Sequence, residues 1–88
     1  MTIENLVPRY DSAKSYYGKA KVITEDDGSL ALKSYDTIVM RIVNGVPIRT
    51  WDGYSATTMR HVNDFMMQNG FERGGKKDWE KMPVFTEE

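Results

Sequence analysis

Basic and aromatic side chains recur along the middle of this 88-residue chain, and seven of them could do the same work: Lys19, Lys21, Lys33, Tyr35, Arg41, Arg49 and Trp51. Cations neutralise phosphates and flat rings stack on unpaired bases, so this mixture on one surface is what single-stranded nucleic acid needs. The ordinary alternative is the wet side of an antiparallel sheet. The long cationic stems would then lie along it and the rings would be covered by the N-terminal segment, with Tyr16 and Tyr17 as the cover. A protein-binding face is the third reading.

The other chemistry-bearing residues are less suggestive. His61 is the only histidine, and without cysteine or a Glu-x-x-His spacing it cannot assemble a usual zinc site. At the edge of an apolar helix stripe it is expected as a half-buried ring that packs and hydrogen-bonds locally, ahead of partner contact or proton transfer. Ser12, Ser15, Ser29, Ser34 and Ser55 offer hydroxyls. None lies in a Gly-x-Ser-x-Gly elbow, and the spelling from Ser29 to Lys33 is one residue too long for Ser-x-x-Lys. Glu25-Asp26-Asp27 lacks the alternating ligand pattern of a calcium loop and reads as a solvated hairpin tip. Gly74-Gly75-Lys76-Lys77 superficially suggests an anion nest before a helix, but without a full phosphate-loop pattern it reads as a flexible link with solvated lysines. No catalytic, cofactor-binding or metal-binding residue is assigned, and no cofactor is expected.

The elements that must position these residues are clearer. Ser55 is a good N-cap, and Gly70 after Asn69 can take the left-handed conformation that closes a helix, so residues 55–69 form one helix. Met59, Val62, Phe65 and Met66 fall on a single stripe of it. Ahead of it, Asp26-Asp27-Gly28 and Asn44-Gly45 are hairpin signals between alternating segments, giving three strands at about 19–25, 30–43 and 46–51. A three-residue loop at Asp26-Asp27-Gly28 pairs Val22 with Leu32 and Thr24 with Leu30. At Asn44-Gly45 a two-residue type I′ loop would pair Ile42 with Pro47 and Met40 with Arg49, mixing apolar and charged residues. A bulged loop pairs Ile42 with Val46, Met40 with Ile48 and Ile38 with Thr50, which keeps one face apolar and is the preferred register. The opposite parity then gathers Lys19, Lys21, Lys33, Tyr35, Thr37, Val39, Arg41, Arg49 and Trp51 on the outer side. Residues 1–18 are read as an ordered arm or a short helix. Residues 76–82 form a short helix anchored by Trp79 and ended by Pro83. The expected fold is a single α+β domain, a three-stranded antiparallel meander with one helix packed on one face and a short C-terminal helix.

Composition bounds the rest. Twelve basic and thirteen acidic residues leave the molecule nearly neutral, so it is not a polycation and a nucleic-acid role would need a local patch. The absence of cysteine removes disulfides, thiolate nucleophiles and thiolate metal ligands. The opening residues lack the basic flank and long apolar run of a signal peptide, and no apolar stretch approaches a membrane span. A cytoplasmic protein without membrane contact is expected.

Three motifs stand together: Tyr10-Asp11-Ser12-x-Lys14-Ser15-Tyr16-Tyr17-Gly18-Lys19-Ala20, Leu32-x-Ser34-Tyr35-x-Thr37-x-Val39, and Tyr54-Ser55-Ala56-Thr57-Thr58-x-Arg60-His61-x-Asn63-x-Phe65. Their combination, covering most of residues 10–71, resembles a family of small uncharacterised proteins carried by phages and mobile elements of Gram-positive, often gut, bacteria. The resemblance implies a genomic setting and no activity or site. The expectation is a non-enzymatic binding module of a phage or mobile element, in stoichiometric contact with a host or element protein, as a host-takeover or anti-defence factor. The alternative is a nucleic-acid-binding accessory protein using the basic-aromatic sheet face.

Overall fold

A computed structural model describes residues 1–85. Five strands form one antiparallel sheet in chain order: β1 (Thr2–Asn5), β2 (Ala20–Thr24), β3 (Leu30–Ser34), β4 (Thr37–Val43) and β5 (Val46–Arg49). Two helices follow, α1 (Ala56–Gln68) and α2 (Lys76–Lys81). The sheet therefore has five strands, and the expectation of a three-stranded meander is overturned at two points. Thr2–Asn5 leaves the N-terminal segment to pair with β2 as an edge strand. Residues 30–43 are two strands, because the chain reverses at Tyr35-Asp36 with Ser34 paired to Thr37. Nothing in the residue types announced that turn. Tyr35 takes φ 54°, a region usually left to Gly, Asn or Asp.

The β2–β3 hairpin follows the expected three-residue loop, with Val22 opposite Leu32, Thr24 opposite Leu30, and Gly28 at φ 89°. The Asn44-Gly45 loop does not follow the preferred bulge. Asn44 at φ 52° and Gly45 at φ 75° make a two-residue type I′ turn, which pairs Val43 with Val46, Ile42 with Pro47, Arg41 with Ile48 and Met40 with Arg49. Asn-Gly is the dipeptide best suited to that turn, and its twist matches the strands it joins. Local turn chemistry outweighed the apolar pattern because Arg49 finds internal partners that alternation does not show. A second irregularity lies in β4, where the register steps between Leu32 and Lys33 and leaves Val39 as an extra residue. The bulge turns Val39 into the core and moves Ile38 into the row of Lys33.

Two kinds of cross-strand row result. Glu4, Val22, Leu32, Met40 and Arg49 form one row on the helix side, and Ile3, Ile23, Ala31, Arg41 and Ile48 form its neighbour on the other. Helix α1 lies over the first. Its N-cap Ser55 accepts the Thr58 N–H at 3.0 Å, and Gly70 at φ 85° closes the far end, where the Phe71 N–H returns to the Met66 carbonyl. The expected stripe is the buried face, with Met59, Val62 and Phe65 inside and Met66 at the edge. Leu32, Met40 and Phe65 are wholly withdrawn from water at the centre of the core, and Leu6, Tyr16 and Trp79 join the same cluster. Among the described residues no helix is long and apolar enough to cross a membrane.

Phe65 is only 1 % exposed at the centre of this layer. Phe65→Ala should lose on the order of 3–5 kcal/mol against a total near 5–15 kcal/mol for a small domain. Urea unfolding checks it, and a midpoint close to the parent's would remove α1 from the core.

Candidate functional site

The seven residues expected to share one outer face are divided among three places. Lys21, Lys33 and Arg41 point away from α1, with Lys21 directly opposite Lys33. Arg41 is held by the Glu25 carboxylate, so its charge is matched within the sheet. Between the lysine pair and the Arg41–Glu25 pair lie Ile23, Ala31 and Ile38, which with those two charged residues, Met1 and Thr50 line a shallow cavity of about 360 Å³. The face is thus an isoleucine surface with a lysine pair at one end, not the basic-aromatic surface expected.

Arg49 and Trp51 lie on the other side. The type I′ register points Arg49 inward, where it is 5 % exposed and stacks over the Trp79 ring at 4.7 Å. Its Nε donates to the Trp51 carbonyl at 2.8 Å, Nη1 to the carbonyls of Trp79 and Met82 at 2.9 and 3.2 Å, and Nη2 to the Gly53 carbonyl at 3.4 Å. A buried cation is tolerated only when its donors are used, and these carbonyls use them. The guanidinium therefore fastens both the 51–53 loop and α2 to β5. Trp51 packs against the core, and its ring lies so close to Gly53 that a Cβ there would meet it at 2.3 Å. Arg49 is a structural residue, and the signal that could have revealed it was the Asn-Gly turn.

The glycine–lysine segment is likewise occupied from within. The Gly75 N–H donates to Asp78 Oδ2 at 2.9 Å and the Gly74 N–H to Asn63 Oδ1 at 2.9 Å, so these donors are committed to the chain's own side chains.

Lys19 and Tyr35 meet elsewhere, at the corner where the β3–β4 turn adjoins the segment before β2. Lys19 Nζ lies 5.5 Å from the centre of the Tyr35 ring. The corner also holds Tyr16, Tyr17, Arg60 and His61 around a cavity of about 300 Å³. Its position depends on Asp64. This carboxylate is 1 % exposed and accepts the backbone N–H groups of Arg9 and Tyr10 at 3.1–3.3 Å, the Tyr16 hydroxyl at 2.8 Å and Gln68 Nε2 at 2.8 Å. Burial and the Asp64 hydrogen bond both push the Tyr16 phenol well above its ordinary range. A surface clamp adds to this one. Arg60 donates to both oxygens of Asp11, at 2.9 and 2.6 Å, and holds that carboxyl below the usual carboxylate range.

His61 is 2 % exposed, more deeply set than the half-buried ring expected. Its Nδ1 shares a hydrogen with Ser34 Oγ at 2.9 Å, and Ser34 Oγ lies 3.0 Å from Thr58 Oγ1. The Tyr16 ring meets it edge-on at 4.5 Å. A serine beside an imidazole is the first requirement of a nucleophile and its base, yet Ser34 is 2 % exposed and lies beneath the ring, away from any substrate. The pair is a core hydrogen-bond network. Burial, then the Arg60 charge, lowers the His61 pKa from its ordinary 6.5.

These features define a small α+β protein, a five-stranded antiparallel meander with one long helix on a single face and an aromatic corner where the N-terminal segment docks. Residues 4–81 match the model of a family of unknown function, DUF8033, and the chain belongs to that family. No curated protein and no solved structure matches it significantly.

Two outcomes check the geometry. Arg49→Met leaves several inward carbonyls without a donor and should lose about 3 kcal/mol or more in urea unfolding, whereas Lys21→Met on the outer face should stay within about 0.5 kcal/mol. Equal effects would contradict the inward placement of Arg49. A histidine whose folded pKa is depressed stabilises the fold above its unfolded value, 6.5, and this contribution is lost as pH falls below it. Stability should therefore drop by up to about 1.4 kcal/mol between pH 7.5 and 5.5, and His61→Asn should flatten that slope. An unchanged slope in the variant would assign the titration to another group.

Proposed function

We propose that this protein is a non-enzymatic binding module that works by stoichiometric contact with another protein through the open face of its sheet. One observation carries the reading: the row Ile3, Ile23, Ala31, Arg41 and Ile48 crosses all five strands on the side that α1 leaves uncovered. Ile3 is 56 % exposed and Ile23 and Ile48 partly so, and apolar area of this kind gains free energy when a partner excludes water from it. Charge along the strands gives the contact a direction. Lys21 and Lys33 lie at one end and Glu25, Asp26 and Asp27 at the other, so the partner that fits presents an apolar patch with carboxylates facing the lysine pair. Three motifs similar to those of phage and mobile-element proteins favour a host protein or another product of such an element as the partner, with host takeover or defence evasion as the outcome. A cytoplasmic site of action follows from that setting.

A photo-reactive side chain at Ile23 or Ile48, in cells of a Gram-positive host, should give one dominant adduct with a single protein species. The same group at Lys77 on α2 should not, and Ile23→Glu in the Ile48-labelled protein should abolish the adduct. Equal labelling from both surfaces, or an adduct insensitive to Ile23→Glu, overturns the reading. An adduct of two copies of this chain assigns the face to self-association instead.

A further inference from the structure

The corner cavity carries features that the protein-contact reading does not use. Two tight turns lie side by side there, and each holds a tyrosine in the left-handed region, Tyr17 at φ 55° and Tyr35 at φ 54°. The first turn closes through the Lys19 N–H on the Tyr16 carbonyl at 2.9 Å, and the Tyr35 N–H on the Lys19 carbonyl at 2.7 Å fastens the second to it. Glycine or asparagine would take these conformations at lower cost. Here Tyr17 is 81 % and Tyr35 49 % exposed, so the strain holds both rings in water.

The cavity beside them, about 300 Å³, has a floor and a charge as well as a rim. His61 forms the floor. With Nδ1 engaged by Ser34, its Nε2 has no protein partner among the described residues, yet no buried side-chain nitrogen or oxygen there lacks one. His61 lines the cavity, and Nε2 is the ring nitrogen left for a ligand. Lys19 lies over Tyr35, and Arg60 stands on the α1 side with its charge shared by Asp11. Asp36 follows Tyr35 in the turn. Of the cations lining the cavity, Arg60 is paired with Asp11, which leaves the Lys19 ammonium over Tyr35 as the group for an anion.

Exposed rings call for a flat ligand, a ring nitrogen on the floor for a ligand edge with hydrogen-bonding groups, and the ammonium for an anion. We propose that this cavity binds a nucleoside phosphate, its base against the Tyr17 and Tyr35 rings with one edge on His61 Nε2, and its phosphate on Lys19. The volume is at the low end for a ligand pocket, which suits one nucleotide and not a dinucleotide. The nucleotide can be free or one residue of a single strand, since the cavity is open to solvent. This inference stands on observations separate from the sheet face and survives if that reading fails.

The left-handed turns supply a test in which folding and binding separate. Tyr17→Gly and Tyr35→Gly remove a ring and relieve backbone strain together, so both variants should unfold no more easily than the parent in urea. Titrating the ¹⁵N-labelled protein with AMP, GMP, CMP and UMP should shift the amides of Tyr17, Gly18, Lys19, Tyr35 and His61. Inorganic phosphate or adenosine alone should bind at least about tenfold more weakly, and each glycine variant should lose about tenfold or more. Lys19→Gln should weaken the mononucleotides and leave adenosine unchanged. A 5′-phosphorylated decamer of single-stranded DNA or RNA distinguishes the sources: binding as tight as or tighter than the mononucleotide assigns the site to a strand, and weaker binding assigns it to free nucleotide. No shifts at millimolar nucleotide, shifts mapping away from the corner, or glycine variants that bind as the parent does would overturn the proposal.

Discussion

The buried carboxylate of Asp64 is the constraint on which the rest of the N-terminal half depends. A charge 1 % exposed is stable only if its lone pairs are filled, and they are filled by two backbone N–H groups, a phenol and an amide. Three of these donors come from residues 9–16, which have no regular structure of their own. Asp64 thus does for that segment what a hydrogen-bond ladder does for a strand. Once Tyr16 is fixed, the turn after it can go only to the corner of the sheet, where Ala20 enters β2 and the Tyr35 N–H meets the Lys19 carbonyl. The corner cavity is a consequence of that docking.

Arg49 plays the matching part for the C-terminal half. Its donors reach carbonyls of the 51–53 loop and of α2, neither of which pairs extensively with the sheet, and its stacking on Trp79 seats the short helix. Asp64 and Arg49 are both buried charges satisfied mostly by neutral or backbone groups instead of by an opposite charge. Such arrangements specify geometry more than they add stability, because each partner must be present at the right angle. The apolar layer of Leu32, Met40 and Phe65 drives collapse, while these two side chains settle where the segments around it lie.

The two faces of the sheet differ for the same reason. Because Arg49 is taken inside, Ile48 is turned out, and the surface away from α1 becomes a band of isoleucines with the Arg41–Glu25 pair within it and two lysines at one end. Because Val39 is taken inside by the bulge, Ile38 joins that band. Of the seven basic and aromatic candidates, only Lys19 and Tyr35 come to the corner, where two turns with tyrosines at positive φ hold them. The outer sheet face and the corner cavity are therefore separate products of one register, and the family match leaves the function of both unassigned.

Ser55, Gly70 and the stripe from Met59 to Met66 determined α1 by themselves, since capping and 3.6-residue periodicity are local. Asp26-Asp27-Gly28 likewise determined the β2–β3 register, and Asn44-Gly45 carried its own type I′ signal, which apolar alternation argued against. Local rules could not decide between them because the deciding term was distant: carbonyls at Trp79 and Met82, 30 and 33 positions along the chain, make an inward Arg49 acceptable. The strand β1 was hidden because four exposed residues carry no burial pattern of their own and pair only when β2 offers an edge. The turn at Tyr35 was hidden because tyrosine is a strand residue by type, and only the tertiary fastening of its N–H to Lys19 holds it at positive φ. The candidate residues were visible one by one in the sequence. Which of them share a surface was decided by two register choices and two buried charges, whose free energies come from contacts that no short window contains.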